Sequence, residues 1–214
     1  MSQNPLLEIA SKGLPHPLHK WTHYFKFYDK HFSKFRNSKI NILEIGIWNG
    51  GSIDLWNKYF TDCTIYGLDI DPSCKRFEKD NVKIFIGDQG DRNFLESLKT
   101  QLPEMSIIID DGGHTMQQQL TTFEVLFPLI KPGGVFLCED THTSYWPGYQ
   151  GDFRKQGTFV EFSKNSIDNL HFHHHNKTEN DYFTKHCEGI HCYDSMFFFD
   201  KAEAELEPPV SKIW

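Results

Sequence analysis

The sequence predicts an α/β protein built on a doubly wound, mostly parallel sheet. Five short apolar, β-branched or aromatic runs recur at 40–45, 64–68, 82–86, 105–109 and 135–138, and each runs into Gly or an acidic residue. Between them, 53–60, 93–98 and 117–130 place apolar residues at helical spacing. Strands that alternate with helices form βαβ units, whose parallel strands are buried on both faces.

The elements can be justified in chain order. Residues 1–17, with Pro5, Gly13, Pro15 and Pro17, are expected to form an irregular arm. Over 18–35, Trp21, Tyr24, Phe25, Tyr28, Phe32 and Phe35 recur in steps of three and four. That period predicts an amphipathic helix whose aromatic stripe packs on the domain or closes over a site. The alternating runs then fill 40–140, and Lys131-Pro132-Gly133-Gly134 reads as the turn that ends a helix before the fifth strand. Residues 141–157, rich in Gly, Tyr and Trp, read as a loop. A helix is expected over 158–173, then one or two closing strands over 190–200, broken near Asp194-Ser195. A polar tail with Pro208-Pro209 spans 201–214. No repeat or linker divides 18–200, which reads as one domain, as a length of 214 residues suits.

Composition narrows the function classes. The net charge of -7, with no long basic run, argues against a nucleic-acid partner, because phosphate binding needs clustered Lys and Arg. The 5 Cys are scattered and form no C-x-x-C pair, so reduced thiols are expected rather than a disulfide framework. No run is long enough for a membrane span, and Met1-Ser2-Gln3-Asn4-Pro5 lacks the charged start of a secretory leader; a cytoplasmic location is expected. The 19 Phe are read mainly as core.

The first constellation is Glu44-x-Gly46-x-x-x-Gly50-Gly51-Ser52, between the first strand and the next helix. Glycines let a backbone approach a ligand, and the helix behind offers free N–H groups. The spacing departs from the G-x-G-x-x-G of dinucleotide sites, and Trp48 stands where the second glycine would be. A carboxylate at Glu44 would repel a pyrophosphate but suits the ammonium and sulfonium of S-adenosylmethionine. A plain strand-to-helix turn is the other reading of this loop alone. Asp69 closes the second strand, where an acid can accept both hydroxyls of a ribose, and Asp88-Gln89 closes the third, where a carboxylate or amide can meet an adenine amino group. A single Asp after a strand is usually a turn former, but three acidic strand ends in a row are harder to explain that way.

The second constellation is Asp110-Asp111-Gly112-Gly113-His114 with Cys138-Glu139-Asp140-Thr141-His142. In a sheet of order 3-2-1-4-5 the fourth and fifth strands are neighbours, so both acidic doublets converge beyond their C-terminal ends. Crowded carboxylates need a cation or protonation, and hard oxygen ligands point to Mg²⁺, with Mn²⁺ or Ca²⁺ as alternatives. The ligand set read from this is Asp111, Glu139 and Asp140, with Asp110 facing the cofactor or capping the turn. His114 is the natural proton acceptor near neutral pH, and His142 a second candidate as base or substrate contact. The aromatic loop Thr143–Pro147 with Tyr149 could stack on a sugar or planar acceptor, or pack on the surface. His171-Phe172-His173-His174-His175 reads as a solvated helix end, because adjacent helical histidines point apart.

Asp-Asp-Gly-Gly-His together with Glu-Asp-x-x-Thr-Ser-Tyr-Trp resembles the metal-dependent sugar O-methyltransferases of antibiotic pathways, such as the mycinamicin and macrocin enzymes, and the related family labelled cephalosporin hydroxylase. The resemblance runs from about His19 to Asp200. It implies a Rossmann-like class I methyltransferase fold with a seven-stranded sheet, an S-adenosylmethionine site, Mg²⁺ on Asp111, Glu139 and Asp140, and His114 as base. It also implies a hydroxyl acceptor on a sugar or other vicinal diol, and a homo-oligomer. This chain is shorter than the macrolide enzymes and is expected to lack their extra N-terminal domain. The rival reading from another reaction class is a metal-dependent hydroxylase or oxygenase, which usually wants two His and one carboxylate. A non-catalytic S-adenosylmethionine-binding module would need neither the base nor the acidic doublets, and the loop spacing makes a nicotinamide dehydrogenase the weakest option.

Overall fold

The computed structural model describes residues 4–213; residues 1–3 of the expected arm and Trp214 of the expected tail lie outside the described residues. The remainder of the arm is irregular over 12–17, as expected, but not before it. It holds α1 (Pro5–Ser11), with Asn4 Oδ1 accepting from Leu7 N–H at 2.9 Å. Pro5 stands in the first turn, where its missing N–H has no intrahelical partner to lose, so a residue read as a breaker starts a helix. The helix expected over 18–35 begins later, as α2 (Tyr24–Phe32) followed by a 3-10 turn at Ser33–Phe35. Trp21, counted in the aromatic stripe, is 55% exposed and stands outside the packed face.

The alternation predicted between 40 and 140 is present. In order come β1 (Lys39–Ile45), α3 (Gly51–Tyr59), β2 (Asp62–Asp69), β3 (Val82–Ile86), α4 (Arg92–Lys99), β4 (Met105–Asp110), α5 (Met116–Leu126) and β5 (Ile130–Cys138). A 3-10 segment, Pro72–Phe77, takes the place of a helix between β2 and β3. Lys131–Gly134, expected as a turn, lies inside β5. There the register against β4 shifts, and Gly133 adopts φ +69, a left-handed value open to glycine.

The chain then continues through α6 (Phe159–Leu170), α7 (Phe172–His175), α8 (Tyr182–His186), β6 (Cys187–Tyr193) and β7 (Met196–Lys201). The helix expected over 158–173 is thus divided at His171, and α8 was not foreseen. The two closing strands form a hairpin that turns at Asp194-Ser195, with Ser195 at φ +65.

The seven-stranded sheet has the order β3-β2-β1-β4-β5-β7-β6. β1 to β5 pair in parallel and β7 runs antiparallel to both β5 and β6, so the sheet is mostly parallel as predicted. Ile45 pairs with Asp110, and Asp110 with Cys138, which ends β1, β4 and β5 level with one another. One core lies between the sheet and α1, α2 and α3, around Tyr28, Phe32 and Trp56. The other lies beneath α4, α5 and α6, around Phe123, Phe136 and Phe199. Most of the aromatic residues are spent there, as the composition suggested. All five cysteines are free, and no helix among the described residues is long and apolar enough to cross a membrane.

Candidate active site

A cavity of about 530 Å³ opens beyond the C-terminal ends of β1, β2, β3 and β4, the place where doubly wound sheets bind ligands. Gly46, Asp69, Asp88, Gln89, Asp111, His114 and Asp140 all line it. Residues named from two separate strand-end motifs therefore share one space.

On the β1–β3 side the polar groups are set by nearby backbone. Asp69 Oδ2 accepts from the N–H groups of Ile47 and Trp48 at 2.8 and 3.0 Å, and Oδ1 accepts from Asp71 N–H at 2.8 Å. The carboxylate thereby fixes the glycine loop at the wall of the cavity. Asp88 Oδ1 accepts from Gly90 N–H at 2.7 Å. Gln89 is a brace: its Nε2 donates to Asp110 Oδ1 at 2.9 Å and to Thr122 Oγ1, and its Oε1 accepts from Gly113 N–H at 2.8 Å. Gly46 sits at φ +89, and a Cβ there would collide with the Asp111 carbonyl, so glycine is required for the β1 loop to pass the end of β4.

Several residues expected at the cofactor turn away from the cavity. Gly50 packs on the Phe77 ring, Gly51 on the Pro17 backbone, and Ser52 is buried in the first turn of α3. Their small size admits protein neighbours, not a ligand. Glu44 is fully buried beside Ser52 and Trp56, and among the described residues neither of its oxygens has a well-formed hydrogen bond. Burial pushes its carboxyl up to about 7, against the pull of Lys20. Asp110 points inward to Gln89 instead of facing the cofactor, and burial, with Asp111 adding to it, raises it to about 7.

On the β4–β5 side the acids are held by side chains from the N-terminal segment. Lys20, buried, donates to Asp111 Oδ2 at 2.5 Å and to Glu139 Oε2 at 2.8 Å. Tyr28 donates to Glu139 Oε1 at 2.8 Å, and Tyr24 to Asp140 Oδ1 at 2.6 Å. Burial lifts Glu139 well above the ordinary carboxylate range, while Lys20 opposes the shift. Lys20 and Tyr28 thus each bond one oxygen of Glu139, the residue expected to ligate a metal together with Asp111 and Asp140.

The group that does gather is Asp111, His114 and Asp140, whose ligating atoms lie within 4.8 Å of one another. His114 Nε2 stands 3.5 Å from Asp140 Oδ2 and 3.9 Å from Asp111 Oδ1. Two carboxylates facing an open cavity suit a hard cation. Burial holds the His114 imidazole below its usual range, opposed by Asp111 and Asp140, so it is neutral and able to accept a proton at pH 7. Its Nδ1 is buried with no partner among the described residues. His114 and Asp140 both adopt left-handed backbone, at φ 58 and 52, a strained choice for residues with a Cβ. Thr143 steadies both, its hydroxyl donating to the His114 and Asp140 carbonyls at 2.9 Å. His142 is engaged elsewhere: its Nδ1 bonds Ser195 Oγ, its ring meets Trp146 edge-on at 4.6 Å, and Nδ1 stands 4.0 Å from Asp140 Oδ1.

Sequence reasoning missed Lys20, Tyr24 and Tyr28. The two tyrosines sit one turn apart on the aromatic stripe of α2, and their hydroxyls were the available signal that the stripe faces something polar. Lys20 had no such signal.

Residues 43–141 match a methyltransferase domain family. Demethylmacrocin O-methyltransferase of Streptomyces fradiae is 35% identical over 201 residues, which cover 85% of this chain and 50% of that protein. Mycinamicin VI 2''-O-methyltransferase of Micromonospora griseorubida is 34% identical over 218 residues, covering 94% of this chain and 53% of that protein. Among solved structures, the MycE methyltransferase from the mycinamycin biosynthetic pathway, in complex with Mg and SAH, superposes with a TM-score of 0.84 at 31% identity, over 94% of this chain and 55% of that one. The same enzyme has also been solved with Mg, SAH and mycinamycin VI, and superposes equally well, at a TM-score of 0.84. The chain spans about half the length of the curated relatives it matches.

Proposed function

The chain carries a methyltransferase domain with a class I methyltransferase fold and is a relative of the macrocin and mycinamicin sugar O-methyltransferases, and from that premise we propose that it moves a methyl group from S-adenosylmethionine to a hydroxyl of a sugar or other vicinal diol. The observation that carries the reading is the single cavity joining Asp69 and Asp88 to the Asp111–His114–Asp140 group. When bound, S-adenosylmethionine supplies an electrophilic methyl on sulfur, and a divalent cation such as Mg²⁺ lowers the pKa of a hydroxyl it touches.

The residues of the chain do the rest. Asp69 accepts from a ribose, and Asp88 from an adenine amino group. Asp111 and Asp140 hold the cation, and their orientation is fixed by Lys20 and Tyr24 respectively. Lys20 balances the charge of Asp111 and Glu139, so that the acids can stay together beneath the cavity. Neutral His114 takes the hydroxyl proton at its Nε2, which faces both metal-binding acids. Orientation and fixed charge supply most of the rate in such a site.

The test is a calorimetric titration of S-adenosylhomocysteine into metal-free protein, repeated with Mg²⁺ and with NAD. We expect stoichiometric binding of S-adenosylhomocysteine and none of NAD. Asp111→Asn and Asp140→Asn should keep that binding within a few-fold and lose methyl transfer to glycoside acceptors. No binding by the folded wild type in either metal state would sink the proposal.

A further inference from the structure

A second group of ligating side chains lies away from the cavity, where α2 meets the closing hairpin. His31 of α2, His191 of β6 and Asp200 of β7 bring one ligating atom each to within 4.8 Å of one another. His31 is 7% exposed. Its ring is stacked on Phe198 at 4.0 Å and lies 4.6 Å from the His191 ring. His191 Nε2 is 2.7 Å from Asp200 Oδ2, and Tyr193 brings its hydroxyl 3.0 Å from His31 Nε2. Gly189, paired with Asp200 across the hairpin, lies beside the cluster: a Cβ there would stand 3.6 Å from both Asp200 Oδ2 and His191 Nε2, in ordinary contact.

We propose that His31, His191 and Asp200 form a site for a zinc-class divalent ion that clips α2 to the β6–β7 hairpin. Two imidazoles and one carboxylate are a borderline-soft set, suited to Zn²⁺ or Co²⁺ and not to Mg²⁺, which separates this site from the carboxylate-rich one. Tetrahedral bonds of about 2.0–2.1 Å place ligand atoms about 3.3 Å apart, so the His191–Asp200 contact opens by about 0.6 Å to admit the ion. Lys30 and Lys34 are the nearby like charges, and Lys30 donates to the Tyr193 hydroxyl at 2.9 Å; they limit the affinity. The clip has a structural consequence, since α2 also presents Tyr24 and Tyr28 to Asp140 and Glu139.

The test uses the whole chain without an affinity tag, titrated with Co²⁺ and followed by its visible absorption. One equivalent is expected to give a tetrahedral band. His191→Gln and Asp200→Asn, both at partly exposed positions, should weaken that binding at least tenfold while unfolding cooperatively like the wild type. The triple variant His173→Gln/His174→Gln/His175→Gln, at the helix end, and Asp140→Asn, in the cavity, should keep the band. Zn²⁺ should raise the Tm of the wild type and leave that of His191→Gln unmoved. No tetrahedral band, or a band that survives His191→Gln and disappears with the helix-end or Asp140 variant, overturns the proposal. Neither result bears on S-adenosylhomocysteine binding.

Discussion

The two sides of the cavity are built by different means. On the β1–β3 side, Asp69 and Asp88 are fixed by backbone N–H groups no more than 22 residues away. On the β4–β5 side, Asp111, Glu139 and Asp140 are fixed by Lys20, Tyr28 and Tyr24, which lie 91 to 116 residues away in sequence for Asp111 and Asp140 and 111 to 119 for Glu139. The first side is solvated and locally wired. The second is crowded with charge, buried at Glu139 and Lys20, and depends on the N-terminal segment docking correctly. A site that handles a nucleoside needs well-placed acceptors, whereas one that handles a cation and a proton needs charges held close together, which is costly without a fixed counter-charge.

The sharpest way to test that contrast is to remove the counter-charge. Lys20→Met should cost about 3–5 kcal/mol of stability in denaturant unfolding, because it strands two carboxylates, and should cut turnover by more than about a hundredfold. A variant as stable and active as wild type would break the comparison. The pH dependence of the metal- and cofactor-free protein tests the same burial. Asp110 is raised to about 7 in the folded protein, so the folded state holds a proton that the unfolded state has released. Its contribution is present in acid and is lost as pH rises from about 4 through about 7, on the order of 2–4 kcal/mol. Asp110→Asn should flatten that slope in chemical denaturation; an unchanged slope would assign it to other groups.

Smaller effects separate the two sides further. Asp69→Ala should weaken S-adenosylhomocysteine about 10- to 100-fold, the worth of hydrogen bonds to a charged acceptor, with no effect on the position of Asp111. Equal loss of affinity in Lys20→Met would mean that the sides are not independent. Tyr28→Phe deprives Glu139 Oε1 of its donor and should cost about 1–3 kcal/mol of stability, measured by thermal unfolding, while S-adenosylhomocysteine affinity holds.

The sequence by itself determined the five parallel strands, their order, and the acidic residues at their ends. Those features rest on local rules: buried parallel strands read as apolar runs, helices keep their period, and Gly or Asp marks each strand end. It also determined that two acidic doublets converge, since their strands must be neighbours. Tertiary structure alone decided which oxygens face the cavity. Asp110 and Asp111 are adjacent in sequence and point opposite ways, one to Gln89 and the other to Lys20. Nothing near Glu139 in sequence announces that Lys20 and Tyr28 bond its two oxygens. Gly50 and Gly51 were read as room for a ligand, where the folded chain uses that room for Phe77 and Pro17. In each case the deciding partner lies outside the motif itself, from 21 residues away for Asp110 to 119 for Glu139. The cost of burying charge governs such pairing, and it becomes visible only once the chain has closed around it.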